Sequence, residues 1–557
     1  MNILFAALHQ GYYRNLDSIV EELARRGHQV HLGSERPDSA FGGQAMLERL
    51  IAAYPNLTAG RIPPREADSL FLASKIRLGF DYLRYLEPMY HASSGLRPRA
   101  EVRTPVGLVR LSRTALESRP WARRLVASVL DGIDRAVPPS PAIEAYLDEQ
   151  RPDLVLITPL IGLVATSQLD LLRSAQARRI PTAVFVWSWD HLSSKGVIRD
   201  CPDGLFVWND AQKQEATGMH RVPADRVVVT GAQCYDRWFG RQPARSRSEF
   251  VRHAGLPDER PYVLWVCSAL LPGSPHEPDV VMRWARSLRA STDPRVRDAN
   301  ILIRPHPSRA EWDDVDWRSL GNIALCGQSP IDSESRAEYF DSLYHSAAVV
   351  GITTSAFIEA AIVGRPVMAI LEDDLKQEHE GSLHFQHLLT VGGGLLTTAR
   401  TLAEHASQLA EMFDGPPAAV LERQRRFVEA FVRPHGLDVP ATGMAVDALE
   451  RLANTSVGRA TAPHRAGALG TPPSGSPREP EGFAPHQSSS AIGRLGLRAL
   501  QAVERHPRWR YLLLDEREGQ SAARQDDKRR LREEALARKQ QQRAEKARRS
   551  ALKSRGA

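Results

Sequence analysis

The sequence predicts an α/β protein made of two Rossmann-like halves that face one another across a cleft. Short apolar runs without alternation, the pattern of strands buried on both faces, recur along the body of the chain. Most of them lead through a polar turn into a segment of helical period. These units fall into two series, 1–240 and 258–432, divided by a polar, Pro- and Arg-rich stretch from Gly240 to Glu259 that reads as a linker. Residues 433–453 are expected to close the body as a helix. Residues 454–557 are expected to form a low-complexity linker and a basic tail, disordered or helical.

In the first series, the apolar run Asn2–Leu8 is followed by His9-Gln10-Gly11, Y-Y-R-N and the helix pattern L-D-S-I-V-E-E-L-A-R-R. Gly27 stops that helix and H-Q-V-H-L opens a second strand, which completes a βαβ unit. The turn lacks G-x-G-x-x-G and so is no dinucleotide fingerprint. His9 and Gly11 nevertheless sit at the carboxyl end of a strand, where open α/β sheets bind ligands. Residues from about 63 to 141 carry no strand signal and read as a helical insertion near the cleft. Strands resume at R-P-D-L-V-L-I-T-P-L and at I-P-T-A-V-F-V-W. The second of these runs into Trp187, Trp189, Asp190, His191 and Lys195, where aromatic rings, an acid, an imidazole and an amine together suit an acceptor-side wall. G-L-F-V-W-N-D and R-V-V-V-T-G-A end the series.

The second series opens with P-Y-V-L-W-V-C-S, whose Ser268 stands where a small hydroxyl residue approaches a phosphate, and a helix is expected from about Asp279 to Ser291. I-L-I-R-P-H-P then places Arg304 and His306 in a turn stiffened by two prolines, both able to donate to a diphosphate. The stretch Val349–Leu371 reads as strand, polar turn, one-sided helix, Gly-Arg-Pro break and strand. Thr353, Thr354 and Ser355 would start the helix, with hydroxyls and backbone N–H groups directed at an anion. Glu359, four residues on, lies on the same face and could take the hydroxyls of a ribose. Beyond it, His379, Glu380, His384 and His387 cluster among acids without H-E-x-x-H spacing, so Glu380 and His384 read as auxiliary ligand-side residues and no metal site is expected. Helices at Ala399–Phe413 and Ala418–Phe431 would complete the half.

Charge narrows the partners. From Thr455 to Ala557 there are 22 Lys+Arg against 11 Asp+Glu, a net of +11 in a chain of net +7, so the preceding body is at −4. An acidic body argues against specific nucleic-acid binding, whereas the tail suits peripheral contact with an anionic membrane or another polyanion. Ala491–Leu514 has the pattern of a short amphipathic helix carrying Trp509 and Tyr511. The four cysteines stand far apart without a C-x-x-C pair, as expected of a reducing cytoplasm. The N-terminus goes straight into a strand pattern without a basic n-region, and the longest uncharged apolar run, Leu154–Ser167, is too short to cross a bilayer.

The R-P-H-P turn at 304–307 and T-T-S-A-F-I-E-A-A-I-V-G-R-P-V at 353–367 resemble the GT-B glycosyltransferase superfamily, over residues 1 to about 452. Bacterial capsule and surface-polysaccharide transferases and CDP-glycerol glycerophosphotransferase-like proteins are the nearest in pattern. The resemblance implies a nucleotide-sugar donor held by Arg304, His306, Thr354 and Ser355 at its diphosphate and by Glu359 at its ribose. It implies a glycan or lipid-linked acceptor and no separate cofactor. The paired glutamates E-x7-E of many retaining members are absent, since Gly351 and Val367 stand eight residues from Glu359. Several inverting families of the superfamily have a base histidine just after the first strand, where His9 stands, so the resemblance implies an inverting, metal-independent transfer with His9 as base and Asp190 or His191 as the alternative. Rival readings are a CDP-alditol phosphotransferase, a UDP-sugar 2-epimerase, whose turn usually reads D-S-G-G, and a non-catalytic scaffold of the same fold.

Overall fold

The computed structural model describes residues 1–37, 42–91, 93, 95–257, 260–270, 274–306, 312–376, 378–379, 381–461, 490–506 and 510–515. Its thirteen strands among these residues form two parallel sheets. The first holds β1 (Asn2–His9), β2 (Gln29–Arg36), β3 (Leu57–Arg61), β4 (Leu154–Thr158), β5 (Thr182–Phe185), β6 (Gly204–Val207) and β7 (Val227–Val229), in the order β3-β2-β1-β4-β5-β6-β7. The second holds β8 (Tyr262–Val266), β9 (Asn300–Arg304), β10 (Ile323–Leu325), β11 (Ala348–Gly351), β12 (Val367–Ile370) and β13 (Thr397–Ala399), in the order β10-β9-β8-β11-β12-β13. In each sheet the order reverses beside the first strand, which opens a crevice at the carboxyl ends. Each sheet is covered on both faces. Phe5 and Leu156 look into one core of the first domain and Leu4 and Ile157 into the other. Leu264 and Trp265 divide likewise in the second. That is why β4, β8 and β9 read as unbroken apolar runs.

The insertion is helical as predicted, with helices Ala67–Arg84, Leu96–Glu101, Val106–Leu111 and Pro120–Ala136. Its anchor is a buried ion network: Arg77 contacts Asp134 at 2.8 Å within the insertion and Asp170 at 2.6 Å on the helix after β4. Three boundaries differ from expectation. The stretch from Gly240 contains the helix Arg247–His253, started by a Ser246–Glu249 capping box and held by Phe250 in the second domain's core. Ala399 ends β13, and the helix expected from it begins at Leu402. The closing helix runs Ala441–Thr461, past the expected end, and packs on the first domain through Ala445, Val446 and Leu449. Asp236 fixes its start, accepting from the Ala441 and Thr442 N–H groups at 3.0 and 2.7 Å. The chain thus returns to the domain it began in. Of the tail, Ala491–Arg505 is the expected amphipathic helix, and Trp509 and residues 516–557 lie outside the described residues.

Candidate functional site

A cavity of about 340 Å³ lies where the carboxyl ends of the two sheets face one another. The first domain contributes Arg14 and Asn15 from the turn after β1, Trp187 to Trp189 after β5, Trp208 after β6, and the segment after β7 with Tyr235, Arg237, Trp238 and Arg241. The second contributes Val266 and Cys267 after β8, Arg304 to His306 after β9, Gln328 and Pro330 after β10, Arg336 and Tyr339 from the following helix, and Thr354, Ser355 and Glu359 after β11. Among the described residues, five arginines line this space and a single carboxylate, Glu359. The remaining walls are aromatic, with Trp208 edge-on to Tyr235 at 5.7 Å and Trp238 edge-on to Tyr339 at 5.7 Å. A positively charged space between indole and phenol rings offers an anion and a planar group separate places.

On the second domain's side, Arg304 is buried, with Nη2 donating to the Gln328 carbonyl at 2.7 Å and Nη1 3.3 Å from Glu338. Its guanidinium lies over the Tyr339 ring, 4.7 Å from the centroid. Gly327, at φ +114°, makes room for it: a Cβ there would stand 2.3 Å from Arg304 Nη1. Tyr339 OH donates to Glu359 Oε2. Burial pushes the Glu359 carboxyl up to about 7, against the Tyr339 hydrogen bond and the Arg14 and Arg304 charges, which pull it down. The helix behind the Thr-Thr-Ser turn has only seven residues, Ala356–Ile362, and Ser355 makes no side-chain cap. Thr354 Oγ1 instead accepts from the Ala356 N–H at 3.3 Å.

Arg304, His306, Thr354, Ser355 and Glu359 therefore come together as the sequence suggested. Thr353 and Ser268 do not line the cavity. The Thr353 N–H donates to Ser268 Oγ at 3.2 Å, and the Ser268 N–H donates to Glu277 at 3.0 Å, so this pair staples the ends of β8 and β11. Pro307 and Glu380 lie outside the described residues.

The expected acceptor-side residues stand behind the wall. Asp190 accepts from Ser188 Oγ, from Ser194 Oγ at 2.8 Å and from Lys195 Nζ at 2.8 Å. Burial raises its pKa, but the Lys195 ammonium and these donors outweigh it and hold the carboxyl well below the usual range. His191 is buried, which lowers its imidazole to about 4. His384 is edge-on to Trp189 at 4.7 Å and is lowered to about 4 for the same reason. His387 pairs with Glu215 at 2.9 Å across the domains, and His379 lies against Phe385 at 5.0 Å, so these histidines diverge. Among the described residues no three His, Cys, Asp or Glu side chains gather as a metal-binding group. The half-buried His9 ring lies tilted at 47° against Tyr12, 4.4 Å between centroids, and Tyr12 is edge-on to Trp187 at 5.0 Å, which puts the imidazole one ring behind the cavity wall. Gly11 packs its backbone against the start of the helix Gly43–Ala53 and is not part of the lining.

Sequence reasoning missed Arg14, Arg237, Arg241, Arg336 and Tyr339. Arg14 belongs to Y-Y-R-N, and Arg237 and Arg241 to D-R-W-F-G-R after β7. A cation beside aromatic residues just past a strand end was the available signal. Arg237 and Arg336 also converge on Asp17 of the first domain, at 2.8 and 3.9 Å, and so link the two halves.

Two Rossmann-like domains of this strand order, a cleft at their carboxyl edges and a final helix that crosses back to the first domain constitute a GT-B architecture. No family model and no curated protein matches the chain. Solved structures of similar shape include UDP-GlcNAc 2-epimerase from Neisseria meningitidis bound to UDP-GlcNAc, at 12% identity, TM-score 0.45, covering 81% of this chain and 100% of that one. A glycosyltransferase from Rickettsia africae matches at 10% identity, TM-score 0.45, over 81% of this chain and 98% of its own. A variant of the wall teichoic acid polymerase TagF matches at 10% identity, TM-score 0.41, over 82% of this chain and 90% of its own. The fold assignment rests on the strand orders.

Proposed function

We propose that the chain is a glycosyltransferase that moves a sugar from a nucleotide diphosphate donor to a hydroxyl of a glycan or lipid-linked acceptor. The observation that carries this reading is the cavity itself, in which Arg14, Arg237, Arg241, Arg304 and Arg336 face a space that Glu359 shares. In such a transfer the bond between the anomeric carbon and the phosphate oxygen breaks, and the electron pair leaves with the nucleoside diphosphate. Fixed guanidiniums placed where that charge develops lower the barrier without rearranging. Arg304 and His306 take the diphosphate from the second domain while Arg14 and Arg237 approach it from the first. The indole and phenol rings hold the base, and Glu359 faces the ribose. The acceptor's proton would pass to His9, since the Asp190 oxygens are already committed and His191 is buried, but only once the Tyr12 ring that stands between His9 and the cavity wall turns aside. Inversion at the anomeric carbon follows if that attack is direct, and the arginines supply charge stabilisation of the kind a divalent ion gives elsewhere.

Incubation of the purified chain with UDP-, GDP-, CDP- and CMP-linked donors, with the released nucleotide identified, tests this. Release of a nucleoside diphosphate together with a glycosylated acceptor is the expected result. Release of CMP from a CDP-alditol would mark phosphotransfer instead. Interconversion of UDP-sugars without an acceptor would mark an epimerase, and tight nucleotide binding with no turnover a scaffold.

A further inference from the structure

The helical insertion carries an apolar face remote from the cavity lining. On the helix Pro120–Ala136, Trp121, Leu125 and Val129 are 67%, 57% and 42% exposed. Their spacing of four puts them in one outward stripe whose next member, Ile133, is buried where the second helix crosses at Gly496, while Leu130 turns into a core. The stripe leads to Gly132, where the helix Ala491–Arg505 crosses. A side chain at Gly493 would meet the Gly132 carbonyl oxygen at 2.2 Å, so the two backbones are in contact. The second helix repeats the pattern, turning Leu497, Leu500 and Val503 inward and leaving Ile492 and Leu495 75% and 69% exposed. Ala499 and Ala502 continue that outward stripe.

The charges beside these stripes are predominantly basic, the half-buried acids being Asp131, paired with Arg135 at 2.8 Å, and Glu504. The exposed charged residues of the two helices are Arg124, Arg494, Arg498 and Arg505, with no exposed acid among them. On the second helix the arginines recur at spacings of four and seven, alongside the apolar stripe. Residues 516–557, which follow, contain 14 Lys+Arg against 7 Asp+Glu. A second copy of the chain would set these arginines against their own kind across a two-fold axis, which opposes self-association through this face. Leucine and isoleucine that enter an acyl boundary, a tryptophan at headgroup level and arginines at lipid phosphates are the chemistry of an interfacial surface.

We propose that the helices Pro120–Ala136 and Ala491–Arg505 together form a docking surface for an anionic lipid bilayer. The insertion is also bonded to the turn that backs the cavity wall: Arg84 donates to the Leu192 and Gly196 carbonyls and Tyr85 OH to the Lys195 carbonyl. Docking would therefore hold the first domain's wall at a set orientation to the membrane.

The test is flotation of the full chain with vesicles of phosphatidylcholine alone or with about a quarter phosphatidylglycerol. Binding at least about fivefold stronger to the anionic vesicles is expected. The combined substitutions Leu125→Glu, Ile492→Glu and Leu495→Glu, all at exposed positions, should abolish it while leaving the circular dichroism spectrum and melting temperature unchanged. Arg494→Gln with Arg498→Gln should remove the preference for anionic lipid. Absence of vesicle binding, equal binding by the triple glutamate variant, or binding lost on removing 516–557 alone would each overturn the proposal. So would a dimer, seen by light scattering, that the same triple variant dissolves.

Discussion

The two walls of the cleft begin from the same signal and end differently. After β9 of the second domain and after β5 of the first, a buried strand runs straight into charged and aromatic residues. In the second domain the charge stays available: Arg304 is steadied by one carbonyl, one carboxylate and the Tyr339 ring, yet lines the cavity. In the turn after β5 the charges consume one another. Asp190 is taken by Lys195, Ser188 and Ser194, and the cavity receives tryptophans from that turn in their place. A polar turn at a strand end is thus a position for chemistry, and the partners within reach decide whether chemistry is left over for a ligand.

The largest expected effect lies on the open wall. Arg304→Gln would remove the charge-assisted contact proposed for the diphosphate and should weaken binding of a nucleoside diphosphate about hundredfold by calorimetry. Gly327→Ala, which displaces the same guanidinium, should follow in the same direction. Unchanged affinity in both would mean the donor lies elsewhere. The closed wall should respond in stability: Asp190→Asn leaves Lys195 half-buried without its counter-charge and should cost about 2 kcal/mol in denaturant unfolding. Nucleotide affinity should hold within about twofold. A loss of turnover at unchanged stability would make Asp190 catalytic and erase the contrast between the walls. Arg237→Gln, from the first domain but with its charge near the cavity, should fall between, at about tenfold weaker binding.

The smallest effect expected is a pH dependence from Glu359. Burial raises its carboxyl from 4.5 to about 7, so it is neutral below that value and negative above. A nucleotide sugar, whose diphosphate charge is constant there, should bind about threefold more weakly at pH 8 than at pH 6. Glu359→Gln should flatten the profile. The sign for folding is the same. The folded chain keeps this proton while the unfolded chain releases it near 4.5, so the stabilisation declines as the pH rises from that value towards 7. A melting temperature that drops between pH 5 and 7 in the parent and less in the variant would show it.

Much of the second domain's wall was legible because its residues are neighbours in sequence. Arg304 and His306 sit two apart in a proline-bound turn, and Thr354, Ser355 and Glu359 fall within one turn of helix, so local geometry nearly forces each group onto one face. The arginines of the first domain were not legible, since Arg14 and Arg237 stand in separate turns, after β1 and after β7, and reach one cavity only in the folded domain. His191 and Ser268 were misplaced for the opposite reason. Nothing local distinguishes an imidazole aimed into a cleft from one turned under a strand, or a hydroxyl at a ligand from one stapling two strand ends.

By itself the sequence determined the two α/β series, the helical insertion, the amphipathic segment near the end and the gathering of Arg304, His306, Thr354, Ser355 and Glu359 at strand ends of the second half, because each depends on the period and order of adjacent residues. Tertiary structure decided which domain the closing helix joins, which charges cancel, and that five arginines from separate segments converge on one cavity. Those outcomes depend on contacts between segments far apart along the chain, where burial and charge pairing are settled by what the fold places opposite each residue.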